Sequence, residues 1–180
     1  MKEITLITGN HKKAEYFMKH IGVNIEHINI DLDELQSLDL EEIIVHKVKQ
    51  AYDKIKKPVL VEDISLEFKA FGKLPGPFIK FFLKEMNQQD ICDLLKDKTR
   101  EAVIRCLIGY YDGTVLKMFE GNLEGTIALN PAGDNGFGFD KIFIPNGHKV
   151  TRAEFGEEEY ADTYLKIRRL DLVKKFIELN

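Results

Sequence analysis

The aliphatic run Pro58-Val59-Leu60-Val61 passes without a break into two acids, Glu62 and Asp63. A short strand that is apolar at every position is the type found where helices cover both faces of a sheet. A helical pattern leads into it: Ile44, Val48, Ala51, Tyr52 and Ile55 recur at helical spacing, from a capping-box pattern of Asp39 with Glu42 to a stop at Pro58. An amphipathic helix feeding a buried strand restricts the chain to the α/β class. The two acids raise a chemical question, because carboxylates are costly to bury unless something pairs with them or a cation sits between them.

The same alternation recurs along the chain. EITLITGN is expected as a strand breaking at Gly9-Asn10, and HKKAEYFMKHIG as a helix with Ala14, Phe17, Met18 and Ile21 on one face and Gly22 as its stop. NIEHINI reads as a strand. Beyond the Gly/Pro-rich GKLPGPFIKFFLKEM, which leads into one helix, QQDICDLLKD supplies a second. AVIRCLIGYYDGTVLKMFEGNLEGTIA reads as a hairpin turning at Asp112-Gly113. NPAGDNGFGFDKIFIP is a glycine-rich loop entering a strand at about Phe139. The closing EEEYADTYLKIRRLDLVKKFIEL reads as one long amphipathic helix with Tyr164, Leu165, Leu172 and Phe176 turned inward. With no internal repeat, low-complexity tract or linker, residues 1–180 are expected as a single α/β domain with a mixed sheet.

Composition excludes several function classes. The 180 residues are 44% apolar and 31% charged, with a formal net charge of -4. That balance argues against a general affinity for nucleic acid. No apolar run approaches membrane-spanning length, and the N-terminus lacks a signal-peptide h-region. Cys92 and Cys106 have no metal-ligand spacing and read as buried free thiols, which suits a reducing cytosol. The expectation is a cytoplasmic protein without a nucleic-acid or membrane partner.

In open α/β sheets ligands settle beyond the carboxyl ends of strands, and two such ends carry suggestive groups. At Thr8-Gly9-Asn10-His11-Lys12-Lys13 a strand turns into a helix start, where free N–H groups and the Thr8, Asn10 and Lys13 side chains suit an anion such as phosphate. A solvated helix start is the competing reading, since GxxxxGK[ST] is missing. At the second end, Glu62 and Asp63, together with Glu34 of DLDELQ, compose a carboxylate set for Mg²⁺. Taken locally, Glu34 reads as an exposed loop acid. GDNGFGFDK lacks a dinucleotide fingerprint, and its Phe137 and Phe139 suit either the core or a base-stacking platform. The histidines show no metal-ligand spacing, and His11 reads as a surface residue.

In their order, TGNHKK, PVLVEDISLEFKAFGKLPGPFIKFF, GFGFDKIFIP and TRAEF resemble the inosine triphosphate pyrophosphatase, or Ham1, family over nearly the whole chain. The resemblance implies a long twisted mixed β-sheet flanked by helices, with two lobes and a central cleft. It implies Mg²⁺-dependent hydrolysis of nucleoside triphosphates to a monophosphate and pyrophosphate, on deaminated purines such as inosine and xanthosine triphosphates, by a homodimer. Position by position, Thr8, Asn10 and Lys13 would hold the triphosphate. Glu34 and Asp63 would bind Mg²⁺ with Glu62 beside them. Asp63 would also be the base that activates water, and Lys13 and Lys80 would neutralise phosphate charge. Phe137 and Phe139 would flank the base, with Asp140 at its edge.

Two departures accompany the resemblance. The family's last helix begins with a Ser-His-Arg triplet that reads the purine edge, preceded by a lysine. A gapless alignment of helix ends puts Ile167-Arg168-Arg169 at the triplet and Thr163 at the lysine, leaving Lys166, Arg168 and Arg169 as candidate base readers. Tyr16 stands where the family has an acid. The phosphate-and-metal half of the expected site is therefore retained and the base-reading half is altered. That leaves two alternatives open: the same chemistry with relaxed or shifted base preference, or a non-catalytic nucleotide-binding protein that kept the fold.

Overall fold

In the computed structural model, described for residues 3–179, the chain divides into two compact units. The first takes the chain up to Asp63, Cys106–Gly121 and the chain from Arg168 onwards. The second takes Ile64–Arg105 and Asn122–Ile167. Neither unit is a continuous stretch, so the chain passes between them several times.

Seven strands form one mixed sheet: β1 (Thr5–Ile7), β2 (Glu26–Ile28), β3 (Val59–Phe68), β4 (Pro75–Gly76), β5 (Glu101–Tyr111), β6 (Leu116–Ile127) and β7 (Phe143–Pro145). The order is β2-β1-β3-β5-β6-β7, with β4 paired to β3. β1 runs parallel to both β2 and β3, whereas the β3–β4 and β6–β7 pairs are antiparallel. Among the described residues six α-helices accompany them: α1 (His11–Ile21), α2 (Leu40–Ile55), α3 (Ile79–Glu85), α4 (Gln88–Asp93), α5 (Glu157–Arg168) and α6 (Leu170–Leu179). Among the described residues no helix is long and apolar enough to cross a membrane.

The first unit follows the sequence pattern closely. α1 buries Ala14, Phe17 and Ile21, leaves Met18 half-buried, and stops at Gly22 in the left-handed region, φ 68°. α2 buries Ile44, Val48 and Ala51 against Val59 and Val61 of β3. It can lie this close to β5 because position 109 is glycine. A Cβ there would fall 2.4 Å from Ile44 Cγ2 and 2.8 Å from Val48 Cγ1. Asp39 caps α2 as expected, accepting from Glu41 N at 2.9 Å, but Glu42 takes the Ser37 hydroxyl at 2.7 Å rather than closing a capping box. The hairpin also forms: Asp112 Oδ1 accepts from Thr114 N and Val115 N at 3.0 and 2.8 Å, building the turn between β5 and β6.

Three expected boundaries move. β3 does not end at the acids but runs on to Phe68, because Ser65, Leu66, Glu67 and Phe68 are all buried and the strand gains β4 as a partner at Leu66↔Gly76. The glycine-rich loop meets its strand at Phe143 rather than Phe139, and two successive turns precede it, Asp140 N donating to Phe137 O at 3.4 Å and Ile142 N to Phe139 O at 3.0 Å. The closing helix is two helices, broken at Arg169 with φ 47°. The break resets the phase of the buried face to Leu170, Val173 and Ile177, which leaves Leu172 exposed; Leu165, on the helix before the break, is half-buried. Tyr164 is fully buried as expected, and Phe176 packs edge-on to Tyr110 and Phe119 at 4.8 and 5.5 Å. Both cysteines are free and buried.

Candidate active site

The parallel strands set the level at which charge appears. β1 ends at Ile7, paired to Ile28 and to Val61, so the next residue on β3, Glu62, is the first without β1 beside it. The acids therefore lie within their own strand, yet one and two residues past the carboxyl end of its parallel neighbour. On β1 that same level is Thr8, where the chain turns into α1.

That turn is held by its own side chains. Thr8 Oγ1 accepts from Asn10 N at 3.1 Å, and Asn10 Oδ1 accepts from Lys13 N at 3.1 Å as the helix cap. His27 supports it from β2, its Nε2–H donating to Thr8 O at 3.0 Å. A carbonyl only accepts, which places the ring proton on Nε2. Tyr16, where the resemblance has an acid, stacks on His20 with ring centroids 4.3 Å apart.

Glu62 and Asp63 meet different partners. The Glu62 side chain is 7% exposed and is gripped by Arg168, whose Nε donates to Oε2 at 2.6 Å and Nη2 to Oε1 at 3.0 Å. Lys13 Nζ adds a contact to Oε1 at 3.3 Å. Burial alone would push the Glu62 pKa up, but the Arg168 and Lys13 charges override it and hold the carboxyl at about 2. Asp63 instead receives Lys47 Nζ on Oδ2 at 2.6 Å, and the same ammonium reaches Glu34 Oε1 at 3.5 Å. Cys106, buried on β5, has its thiol pushed well up by burial and then by the neighbouring Glu62 charge, so it is an inert thiol.

Glu34 and Asp63 thus converge on a single cation. Among the described residues no group of three or more His, Cys, Asp or Glu side chains is arranged to hold a metal ion. Two carboxylates completed by phosphate oxygens and water are, however, a usual donor set for Mg²⁺, and the Lys47 ammonium marks the place where both carboxylates reach one positive charge. Glu34 and Asp63 fit the ion. Glu62 lies beside them with both oxygens already accepting from cations.

Sequence reasoning missed Lys47 and the partner of Arg168. For Lys47 a signal was present: it falls on the apolar face of α2, with Ile43, Ile44, Val48 and Ala51, and is buried there. A lysine on an inward face needs an acid to reach. Arg168 carries no such local cue, since its partner is 106 residues away. Arg169 is half-buried and turns to Asp171, with Nε 3.4 Å from Oδ1, and Lys166 is exposed.

The second unit holds the remaining expected residues. Lys80, exposed at the start of α3, carries its ammonium over the Phe81 ring at 4.8 Å, and partial loss of water lowers its pKa. Phe137 is half-buried, while Phe139 and Asp140 are buried. Asp140 is a junction. Its Oδ1 accepts from Arg152 Nη1, and its Oδ2 accepts from Tyr160 Oη at 2.7 Å and from Phe137 N at 2.9 Å. Gly136 leaves room for it, since a Cβ there would lie 2.4 Å from Asp140 Oδ2.

Comparison with known proteins gives the family and the fold. Residues 4–172 match the model of the Ham1 family. The inosine triphosphate pyrophosphatase of Schizosaccharomyces pombe is 38% identical over 164 residues, covering 88% of this chain and 86% of its own length. A dITP/XTP pyrophosphatase of Methanopyrus kandleri is 35% identical over 153 residues, covering 84% and 81%. Among solved structures, a HAM1 protein from Coxiella burnetii superposes with a TM-score of 0.86 at 25% identity, covering all of both chains.

Proposed function

Because the chain belongs to the Ham1 family, we propose that it hydrolyses nucleoside triphosphates between the α- and β-phosphates, releasing a monophosphate and pyrophosphate, with inosine, deoxyinosine and xanthosine triphosphates as its substrates. The observation that carries the reading is the convergence of Asp63 and Glu34 on one cation, beside Lys13 and the Thr8–Asn10 turn. Mg²⁺ held by Glu34 and Asp63 supplies charge neutralisation to the phosphates when bound. Thr8, Asn10 and the first N–H groups of α1 bind phosphate oxygens, and the Lys13 ammonium, held in place by Glu62, neutralises charge as it builds on the leaving pyrophosphate. Asp63 orients a water and accepts its proton at a carboxylate oxygen. Lys80 is a further phosphate cation, and Phe137, Phe139 and Asp140 form the base-contacting set. The working unit is proposed as a homodimer in the cytoplasm, where two buried free thiols stay reduced.

A second reading, the same chemistry with shifted base preference, is favoured by Arg168, which is committed to Glu62 rather than free to read a base. The test is pyrophosphate release with Mg²⁺ from a panel of inosine, xanthosine, adenosine, guanosine and pyrimidine triphosphates. Preference for inosine and xanthosine supports the first reading and broad activity the second. No release from any of them overturns both in favour of a nucleotide-binding protein.

A further inference from the structure

With Arg168 on Glu62 and Arg169 on Asp171, the expected base readers of the last helices have other partners. A different arginine is better placed. Arg152, 3% exposed, donates from Nη1 to Asp140 and from Nε to Thr163 Oγ1 at 3.1 Å, and its guanidinium lies 4.6 Å above the Tyr160 ring. Its Nη2 is buried and, among the described residues, has no hydrogen-bond partner. A guanidinium brings five N–H donors, and a buried one left without an acceptor is costly.

Asp140 ties that donor to an aromatic. The carboxylate that receives Arg152 also accepts from the backbone N–H of Phe137, whose ring is half-buried. One carboxylate therefore links the backbone of a half-buried aromatic residue to an arginine with an unsatisfied donor, and a ring face with an edge donor is the pair of contacts that recognises a nucleobase. Asp140 cancels the arginine's charge, so the acceptor suited to Nη2 is a neutral carbonyl oxygen rather than a phosphate.

We propose that Arg152 is the specificity-determining residue of this protein, donating from Nη2 to a ring carbonyl oxygen of the bound nucleobase and so favouring oxo-purines over adenine. This rests on the nucleotide-hydrolysing reading above. Adenine presents an amino group where hypoxanthine, xanthine and guanine present an oxygen, so a donor at that place rejects it.

The experiment compares kcat/KM of the wild type and Arg152→Lys for inosine triphosphate, adenosine triphosphate and ribose 5-triphosphate, which has no base. Lysine keeps a cation for Asp140 but has no second nitrogen. The inosine-to-adenosine ratio is expected to fall by about tenfold or more, while ribose 5-triphosphate stays within about twofold. An unchanged ratio, or an equal fall for all three, overturns the inference and leaves Arg152 a structural ion pair. A companion measurement needs neither turnover nor a variant that folds. In the wild type, the side-chain ¹⁵N–¹H signals of Arg152 should shift with inosine monophosphate and not with adenosine monophosphate or ribose 5-phosphate. Equal responses overturn the inference. A wild type that shifts selectively yet hydrolyses nothing would instead overturn the proposed reaction and leave the base contact standing.

Discussion

Each compact unit holds an ionic cluster, and the two are built differently. In the second unit Arg152 and Asp140 have side chains only 4% and 3% exposed, and the carboxylate accepts from a guanidinium, a phenol and a backbone N–H. In the first, Lys47 and Asp63 are 11% and 18% exposed and Glu34 is 48% exposed, with a single ammonium serving both acids. A guanidinium fork fixes the orientation of what it holds, whereas an ammonium is a point charge whose place another cation can take. The contrast recurs within the first unit between sequence neighbours: Glu62 sits in the Arg168 fork, and Asp63 faces Lys47. Two adjacent acids on one strand are thus held differently, one in a guanidinium fork and the other by a single ammonium.

The largest effect that tests this contrast is on chemistry. Asp63→Asn is expected to lower kcat by about 10³-fold with KM changed less than about threefold, in steady-state pyrophosphate release. Full turnover in that variant would remove Asp63 from its role as base. Stability should divide the other way. Arg168→Met strands a buried carboxylate and is expected to cost about 3–5 kcal/mol in urea unfolding, most of it recovered by adding Glu62→Leu. Lys47→Met, whose acids keep access to water, is expected to cost about 1 kcal/mol. Equal costs for Arg168→Met and Lys47→Met would erase the distinction between fork and point charge.

Acid titration sharpens the same contrast. Glu62 has its folded pKa depressed to about 2 from an ordinary 4.5, so its contribution is fully present above pH 4.5 and is lost as pH falls through the folded value. Unfolding free energy should decline over that window by on the order of 3 kcal/mol, and Glu62→Gln should remove this dependence. The smallest effect concerns the turn after Arg168. Arg169→Gly relieves a side chain held at φ 47° and is expected to stabilise by about 0.5–1 kcal/mol in thermal melts, without changing turnover.

Part of the candidate site is legible in the sequence. Strand ends and residue chemistry point to Thr8, Asn10, Lys13, Glu62 and Asp63, whereas Glu34 reads locally as an exposed loop acid and joins them only through the resemblance; the structure has the turn, Lys13, both strand acids and Glu34 in one unit. The proposed base contact is less legible. Arg152 sits in TRAEF with nothing local to distinguish it, and its surroundings depend on Asp140, Tyr160 and Thr163 arriving around it.

By itself the sequence determined what short-range physics controls. The apolar period of α1 and α2, the Asn10 and Asp39 caps, the Asp112-Gly113 turn and the parallel helix-fed strand all follow from neighbours within a few residues. Tertiary structure decided what depends on distant partners. β3 runs past its acids because Leu66 finds Gly76, and Glu62 is tamed by an arginine far along the chain. The last helix breaks at Arg169, a residue whose type gives no hint of a left-handed turn. Periodicity is local and survives in the sequence, whereas the pairing of charges is settled only when the chain closes on itself.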